Sequence, residues 1–369
     1  MDKRWNEYLK ALGYLDYAHL KEDEDVEKAL DILNPNIKNK RIVTKILKTA
    51  QSSESDKYKL INASYERSLI LSLYFNSVRY ATQADFYCSL PDNMGEKILD
   101  IGCMNGLLTC FIAFIYPEKT ITGVDCDSKS IEYAKKIANI LNLNNVTFTC
   151  DDYSKLNSDF DTILYSYSLH ELMPMAHYKT YDSFNQKINC YKELYVKPLS
   201  FINKKIQNVI VFSSKTYALA SLAMIESFSN IGLDCASAGK KNIGYAEDMH
   251  YYIFSRCEQI TIESQIKIWR ELYNSDEQKI PQLFGVDAEN QFYTDSEKLL
   301  YGFVTYKGSK IASRSMISQS ISDKTAIYAC LADADGIVCQ RYDKGVYMQV
   351  IAMLSENKKN KRFEEISEL

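Results

Sequence analysis

Asp100, Asp125, Asp152 and His170 stand at the ends of four short apolar runs separated by helix-length segments, and Gly102 and Gly106 follow the first of them. Carboxylates accept hydrogen bonds from hydroxyls and amines, and an imidazole moves a proton near neutral pH. Glycines let a backbone and a helix N-terminus come close to a ligand, because no Cβ stands in the way. Residues 97–106, Lys-Ile-Leu-Asp-Ile-Gly-Cys-Met-Asn-Gly, therefore read as strand, tight turn and helix start, with apolar residues 107–116 continuing the helix. The chain holds only 13 glycines in 369 residues, yet Gly95, Gly102, Gly106 and Gly123 crowd into this stretch. That crowding points to backbone geometry rather than composition.

The elements that must position these groups are parallel strands with helical crossovers. Residues 120–125, 146–149 and 160–165 read as the second, third and fourth strands, ending in Asp125, in Cys150-Asp151-Asp152-Tyr153, and in Ser166-Tyr-Ser-Leu-His170-Glu171. In a doubly wound sheet, polar residues at successive carboxyl ends line one crevice, and an acid after the second strand receives the hydroxyls of a ribose. Asp127-Ser128 starts a helix over 129–141, whose Ile131, Ala134, Ile137 and Ile140 recur at helical spacing. A long crossover over 175–207, a strand at 208–213, a helix at 218–231 and two strands near 233–238 and 250–255 complete the sheet.

From about residue 96 to residue 214 this order resembles the Rossmann-like (class I) S-adenosylmethionine-dependent methyltransferases, through Asp100-x-Gly102-x-x-x-Gly106, Gly-Val-Asp125, Asp152 and Phe-Asp161-x-Ile-Leu. The resemblance implies an α/β fold: a doubly wound, mostly parallel seven-stranded sheet. It implies S-adenosylmethionine as cofactor, with Asp100, Gly102 and Gly106 at its methionine part, Asp125 at the ribose hydroxyls and Asp152, or Asp151 by a one-residue slip, at the adenine amine; Cys103, Cys126, Tyr153 and Ser166 are further cofactor-binding candidates. Met104 departs from the pattern, since the family usually has a third glycine there. A side chain at that point must lean away from the cofactor or narrow its pocket.

His170 is the candidate catalytic base because it directly follows the fourth strand at the crevice end, with Glu171 and His177 as alternatives. Tyr165, Tyr167 and Tyr178 suggest an aromatic pocket for a sulfonium or cationic substrate, set against a tyrosine-rich composition of 28 residues. No metal site is expected.

Around this domain, assigned to 91–256, a helical cap is expected over 1–90 and a smaller α+β region over 257–369. The cap contains helices near 5–12, 26–33, 37–50 and 56–82. Its basic run Lys38, Lys40, Arg41, Lys45 and Lys48 reads as a solvated helix face. In the C-terminal region a helix is expected at 263–273, strands at 299–305, 325–331 and 336–341, and a last helix at 344–355. That region is also a candidate pairing surface for a homodimer.

The formal net charge of −4 disfavours a nucleic-acid partner, and the polar start Met-Asp-Lys-Arg-Trp with no bilayer-length apolar run points to a cytoplasmic protein with no membrane partner. The ten scattered cysteines show no zinc spacing and are expected to be reduced and buried. The expected activity is methyl transfer to an oxygen or nitrogen of a small molecule or peptide. Aminocarboxypropyl transfer from the same cofactor, as in nicotianamine-synthase-like enzymes, and a non-catalytic cofactor-binding scaffold are the alternatives.

Overall fold

The computed structural model describes residues 3–50, 53–90, 94–156, 159–172, 191–214, 218–243, 248–256, 259–273, 298–306, 309–318, 327–333, 336–343 and 346–352. Seven strands form the main sheet: β1 (Lys97–Ile101), β2 (Thr120–Asp125), β3 (Val146–Cys150), β4 (Thr162–Ser166), β5 (Asn208–Ser214), β6 (Asp234–Asn242) and β7 (Asp248–Ser255). Their order is β3-β2-β1-β4-β5-β7-β6, and β1 to β5 pair in parallel. The chain leaves β1 toward β2 and β3, then returns to lay β4 on the other side of β1. Such a reversal opens a crevice at the carboxyl ends of β1 and β4. The doubly wound sheet is thus as expected. Ile98, Leu99, Ile121, Ile163 and Leu164 are fully buried, because strands covered on both faces are apolar throughout.

The chain divides into two compact units. The first, residues 1–170, 202–213 and 241–249, holds β1 to β4 and the helices before them. These are α1 (Lys3–Leu12), α2 (Asp23–Leu33), α3 (Ile42–Ala50), α4 (Glu54–Ile61) and α5 (Tyr65–Tyr87), followed after β1 by α6 (Leu107–Ile115) and after β2 by α7 (Ser128–Ile140). The single helix expected over 56–82 is two helices. Ser64 takes an extended conformation and its hydroxyl accepts the Arg67 N–H, so the chain is capped afresh at that point. Helix α5 bends at Asn76, whose backbone leaves the helical region. Trp5 and Tyr8 of α1 pack their rings on Phe111 of α6. Lys38, Lys40, Arg41, Lys45 and Lys48 are all exposed, as a solvated face requires.

The second unit, residues 171–201, 214–240 and 250–369, contains α8 (Val196–Phe201), α9 (Ala218–Ser229) and α10 (Ile262–Tyr273). The buried Trp269 donates its indole N–H to Ser221 Oγ at 3.0 Å, and Gln265 Oε1 accepts the Cys235 N–H at 2.8 Å, so α10 is fixed by polar as well as apolar contacts. Further on, β8 (Lys298–Tyr306) and β9 (Ser309–Ser318) form an antiparallel pair, and β10 (Ile327–Asp333), β11 (Gly336–Asp343) and β12 (Val346–Ala352) a three-stranded sheet. The last helix expected over 344–355 is therefore strand β12. Its Val, Tyr and Ile residues favour the pleated surface beside β11 over an isolated helix.

Candidate functional site

The glycine loop after β1 is held from three sides. Gly102 and Gly106 have φ of +76° and +73°, the left-handed region. A Cβ on Gly102 would stand 2.5 Å from Ser168 Cβ, and one on Gly106 2.6 Å from Ala134 Cβ on α7, so both positions require glycine for space as well as conformation. From below, Gly102 N–H and Cys103 N–H both donate to Val124 O at 2.8 and 3.1 Å. From the side, Asn105 donates its amide to Ser68 Oγ and Ser72 Oγ of α5, each at 3.0 Å, and Tyr8 donates its hydroxyl to Leu107 O at 2.7 Å. The N-terminal helices thus latch the loop. Ser68 and Ser72, one turn apart in the otherwise apolar stretch Ser68–Leu73 of α5, are the sequence signal for this contact.

Met104 occupies the position where a glycine is usual and keeps the conformation of one, with φ +49°. Its N–H donates to Asp125 Oδ2 at 2.9 Å, while Asp127 N–H donates to Oδ1 at 2.9 Å. Asp125 therefore does not cap α7. Asp127 does, accepting Ser130 N–H at 2.9 Å. Burial raises the Asp125 carboxyl pKa, and the backbone donors Asp127 and Met104 oppose that shift.

Asp100 is buried at the end of β1. One oxygen accepts the Thr109 hydroxyl at 2.6 Å, and the other, Oδ1, accepts no hydrogen bond. Burial pushes its pKa up to about 6, against the Thr109 hydrogen bond and helped by the charge of Asp125. At the end of β3, Asp152 Oδ1 accepts Ser154 N–H at 2.9 Å and caps a short 3-10 turn, Tyr153–Lys155. Its neighbour Asp151 is engaged by Lys155 Nζ at 2.7 Å. Tyr153 is buried, and Ser166 shares a 2.7 Å hydrogen bond with the Tyr87 hydroxyl.

Sequence reasoning expected the loop to offer backbone donors to a ligand. Instead the N–H groups of Gly102, Cys103, Met104 and Gly106 are all used within the unit. What the strand ends hold is oxygen: a buried, unpaired oxygen on Asp100, and the second lone pairs of the half-buried Asp125. Such a surface suits a ligand rich in hydroxyl and amine donors and carrying positive charge, which is the donor set of S-adenosylmethionine.

Other expectations fare differently. Cys103 turns its thiol inward, but Cys126 and Cys150 are exposed, against the expectation of buried cysteines. They lie at strand ends, where the apolar core stops. Tyr165 is fully buried and so is closed to a cation, while the half-buried Tyr167 ring carries the Arg79 guanidinium 4.2 Å from its centre on one face. His170 and Glu171 fall in a 3-10 turn, Leu169–Leu172, with Glu171 in the second unit. The side chains of both, and all of His177, Tyr178 and Tyr181, lie outside the described residues. Among the described residues no group of three potential ligands could hold a metal, and no helix is long and apolar enough to cross a membrane.

Residues 92–209 match the family model described as methyltransferase domain. This segment is a methyltransferase domain. Curated relatives of the domain include ribosomal RNA small subunit methyltransferase G of Malacoplasma penetrans, 23% identical over 154 residues that are 40% of this chain and 63% of that protein. Pavine N-methyltransferase of Thalictrum flavum is 28% identical over 108 residues, 29% of each chain. The chain thus spans less than two thirds of the length of these relatives. Among solved structures, a magnesium protoporphyrin IX methyltransferase from Synechocystis with bound cofactor aligns at 15% identity and a TM-score of 0.36, over 56% of this chain and 92% of that one. In the methyltransferase domain the matched residues hold Asp100, the glycine loop, Asp125 and Asp152, all in the first unit.

Proposed function

We propose that the chain binds S-adenosylmethionine at the carboxyl ends of β1 to β4 and transfers its methyl group to an oxygen or nitrogen of a small molecule or peptide. The observation that carries this reading is the pair of acids at adjacent strand ends of a methyltransferase domain: Asp125 keeps lone pairs beyond its two backbone donors, and the buried Asp100 Oδ1 has no hydrogen-bond partner. When bound, the cofactor supplies a sulfonium whose methyl is already activated. The chain's part is to bind, orient and exclude water. Asp125, fixed by two backbone donors, takes the ribose hydroxyls without having to be ordered first. Asp100 takes the amine of the methionine part and relieves its own uncompensated burial. Asp152, which also caps the turn through Ser154 N–H, takes the adenine amine, with Asp151, held by Lys155, as its rival. Cys103, Cys126, Tyr153 and Ser166 line these positions, and His170, with Glu171 as alternative, accepts the proton that the acceptor loses.

The relatives' names cover both ribosomal RNA and a small-molecule amine. The net charge of −4 supports the small acceptor. Calorimetric titration with S-adenosylmethionine and S-adenosylhomocysteine tests the reading, after mass spectrometry has checked that neither was carried through purification. Micromolar binding of both is expected, and a folded, ligand-free sample that binds neither overturns it.

A further inference from the structure

Cys126 and Cys150 are exposed thiols at neighbouring strand ends of the first unit. Strands β2 and β3 run in parallel with Asp125 opposite Cys150, and Asp151 N–H donates to Asp125 O at 3.2 Å, so the ladder holds to the end of both strands. Cys126 is thus the diagonal neighbour of Cys150, and diagonal neighbours on adjacent strands lie within the Cα separation that a disulfide spans. In a continuing strand the two side chains would point to opposite faces, but the backbone bends at Cys126 and the alternation stops there. The Cys150 thiol already leans on this residue, donating to Cys126 O at 3.5 Å. Partial burial first, then the charge of Asp125, push the Cys126 thiol pKa up, with Cys150 among the smaller contributors. That makes Cys126 a reluctant nucleophile, suited to resolving a mixed disulfide held beside it rather than to starting one.

We infer that Cys126 and Cys150 form a thiol-modification site that takes small-molecule disulfides and closes as a Cys126–Cys150 bridge across the nucleoside end of the cofactor site. The Cys150 thiolate attacks one sulfur of the small disulfide RSSR, forming a mixed disulfide and releasing RS⁻. The Cys126 thiol then loses its proton to solvent, and its sulfur attacks Cys150 Sγ, forming the bridge and releasing the second RS⁻. Two protein thiols are oxidised, RSSR is reduced to two thiols, and the two protons shed by the protein end on them. The effect on binding rests on the proposed methyltransferase reading, in which Asp125 meets the ribose and Asp152 the adenine amine. Cys126 directly follows the first of these acids and Cys150 stands two residues before the second. A bridge between them pins both strand ends and takes Cys126 out of the ribose position, so the oxidised chain holds the nucleoside more weakly.

The test incubates the full chain with oxidised glutathione, maps its disulfides by mass spectrometry of unreduced peptides, and titrates the oxidised and the dithiothreitol-reduced samples with S-adenosylhomocysteine. A Cys126–Cys150 bridge is expected, reversed by dithiothreitol, with at least tenfold weaker binding in the oxidised form. Cys150→Ser, which lies outside the residues assigned to the cofactor, should bind like the reduced chain and lose the response to oxidised glutathione. Cys126→Ser should stop at a glutathione adduct on Cys150, because the resolving thiol is gone. No mapped bridge, a bridge that forms without a change in affinity, or a response that survives Cys150→Ser overturns the inference. A reduced chain that binds no S-adenosylhomocysteine overturns the cofactor reading instead, while a mapped bridge still sustains the thiol site.

Discussion

The Met104 N–H donates to Asp125 Oδ2 at 2.9 Å, so the carboxylate that ends β2 holds the loop that follows β1 in its left-handed turn. One acid therefore shapes the loop and, in the proposed function, meets the ribose. Asp125→Ala should weaken S-adenosylhomocysteine binding by about 1–3 kcal/mol through loss of charge-assisted hydrogen bonds. Calorimetry at constant pH measures it, and an unchanged affinity in a folded variant would remove Asp125 from the nucleoside site.

Met104→Gly tests the strain. A non-glycine residue in the left-handed region costs about 1 kcal/mol, and Met104 is only half-buried, so little packing is lost in exchange. The variant should be more stable by about that amount in urea unfolding. A destabilised variant would show that the thioether packing outweighs the backbone gain.

Gly106→Ala meets the opposite situation, with a Cβ 2.6 Å from Ala134 Cβ at a φ of +73°. Backbone strain and overpacking together should cost about 2–4 kcal/mol. Adding Ala134→Gly should recover the steric part and leave the backbone part, a split readable as the coupling in a double-mutant cycle.

The pH dependence follows from Asp100. Its pKa is raised to about 6 from the ordinary 3.8, so the folded protein holds this proton more tightly than the unfolded chain. The acid's favourable contribution is full below the unfolded value and is lost as pH rises through 6, a difference of roughly 3 kcal/mol. Asp100→Asn should therefore flatten the stability profile between pH 4 and 6, measured as the difference from the native chain in denaturant midpoints. A parallel pair of profiles would mean that Asp100 ionises freely.

Asn105→Ala would leave the hydroxyls of Ser68 and Ser72 without their shared donor in a buried site. A loss of about 2 kcal/mol is expected, with faster hydrogen exchange in the loop than at β5. Uniform exchange would mean that the N-terminal helices do not hold the loop.

The sheet was legible because its strands are short apolar runs punctuated by glycine and aspartate, a local pattern. Asp127 as the cap of α7 was legible for the same reason. The break between α4 and α5 was harder, since Ser64 interrupts a continuous helical periodicity by capping rather than by a proline or glycine. Strand β12 was misread because the helical and strand periods overlap over so few residues, and its pairing with β11 is a tertiary choice. At the site, residue types revealed the acids but not what their oxygens do. That Asp125 spends part of its hydrogen bonding on Met104, and that Arg79 covers Tyr167, depends on side chains distant in sequence.

Helix α5 answers to two sets of demands on either side of its bend at Asn76. Before the bend, Ser68 to Leu73 are buried, and Ser68 and Ser72 accept hydrogen bonds from Asn105 of the loop, so substitutions there must conserve volume and, at the two serines, polarity. Just beyond it, residues 76–79 are half-buried or exposed, and Arg79 faces Tyr167. Mutational drift can therefore change the side chains after the bend without disturbing the glycine loop, so the two halves of one helix are free to diverge at different rates.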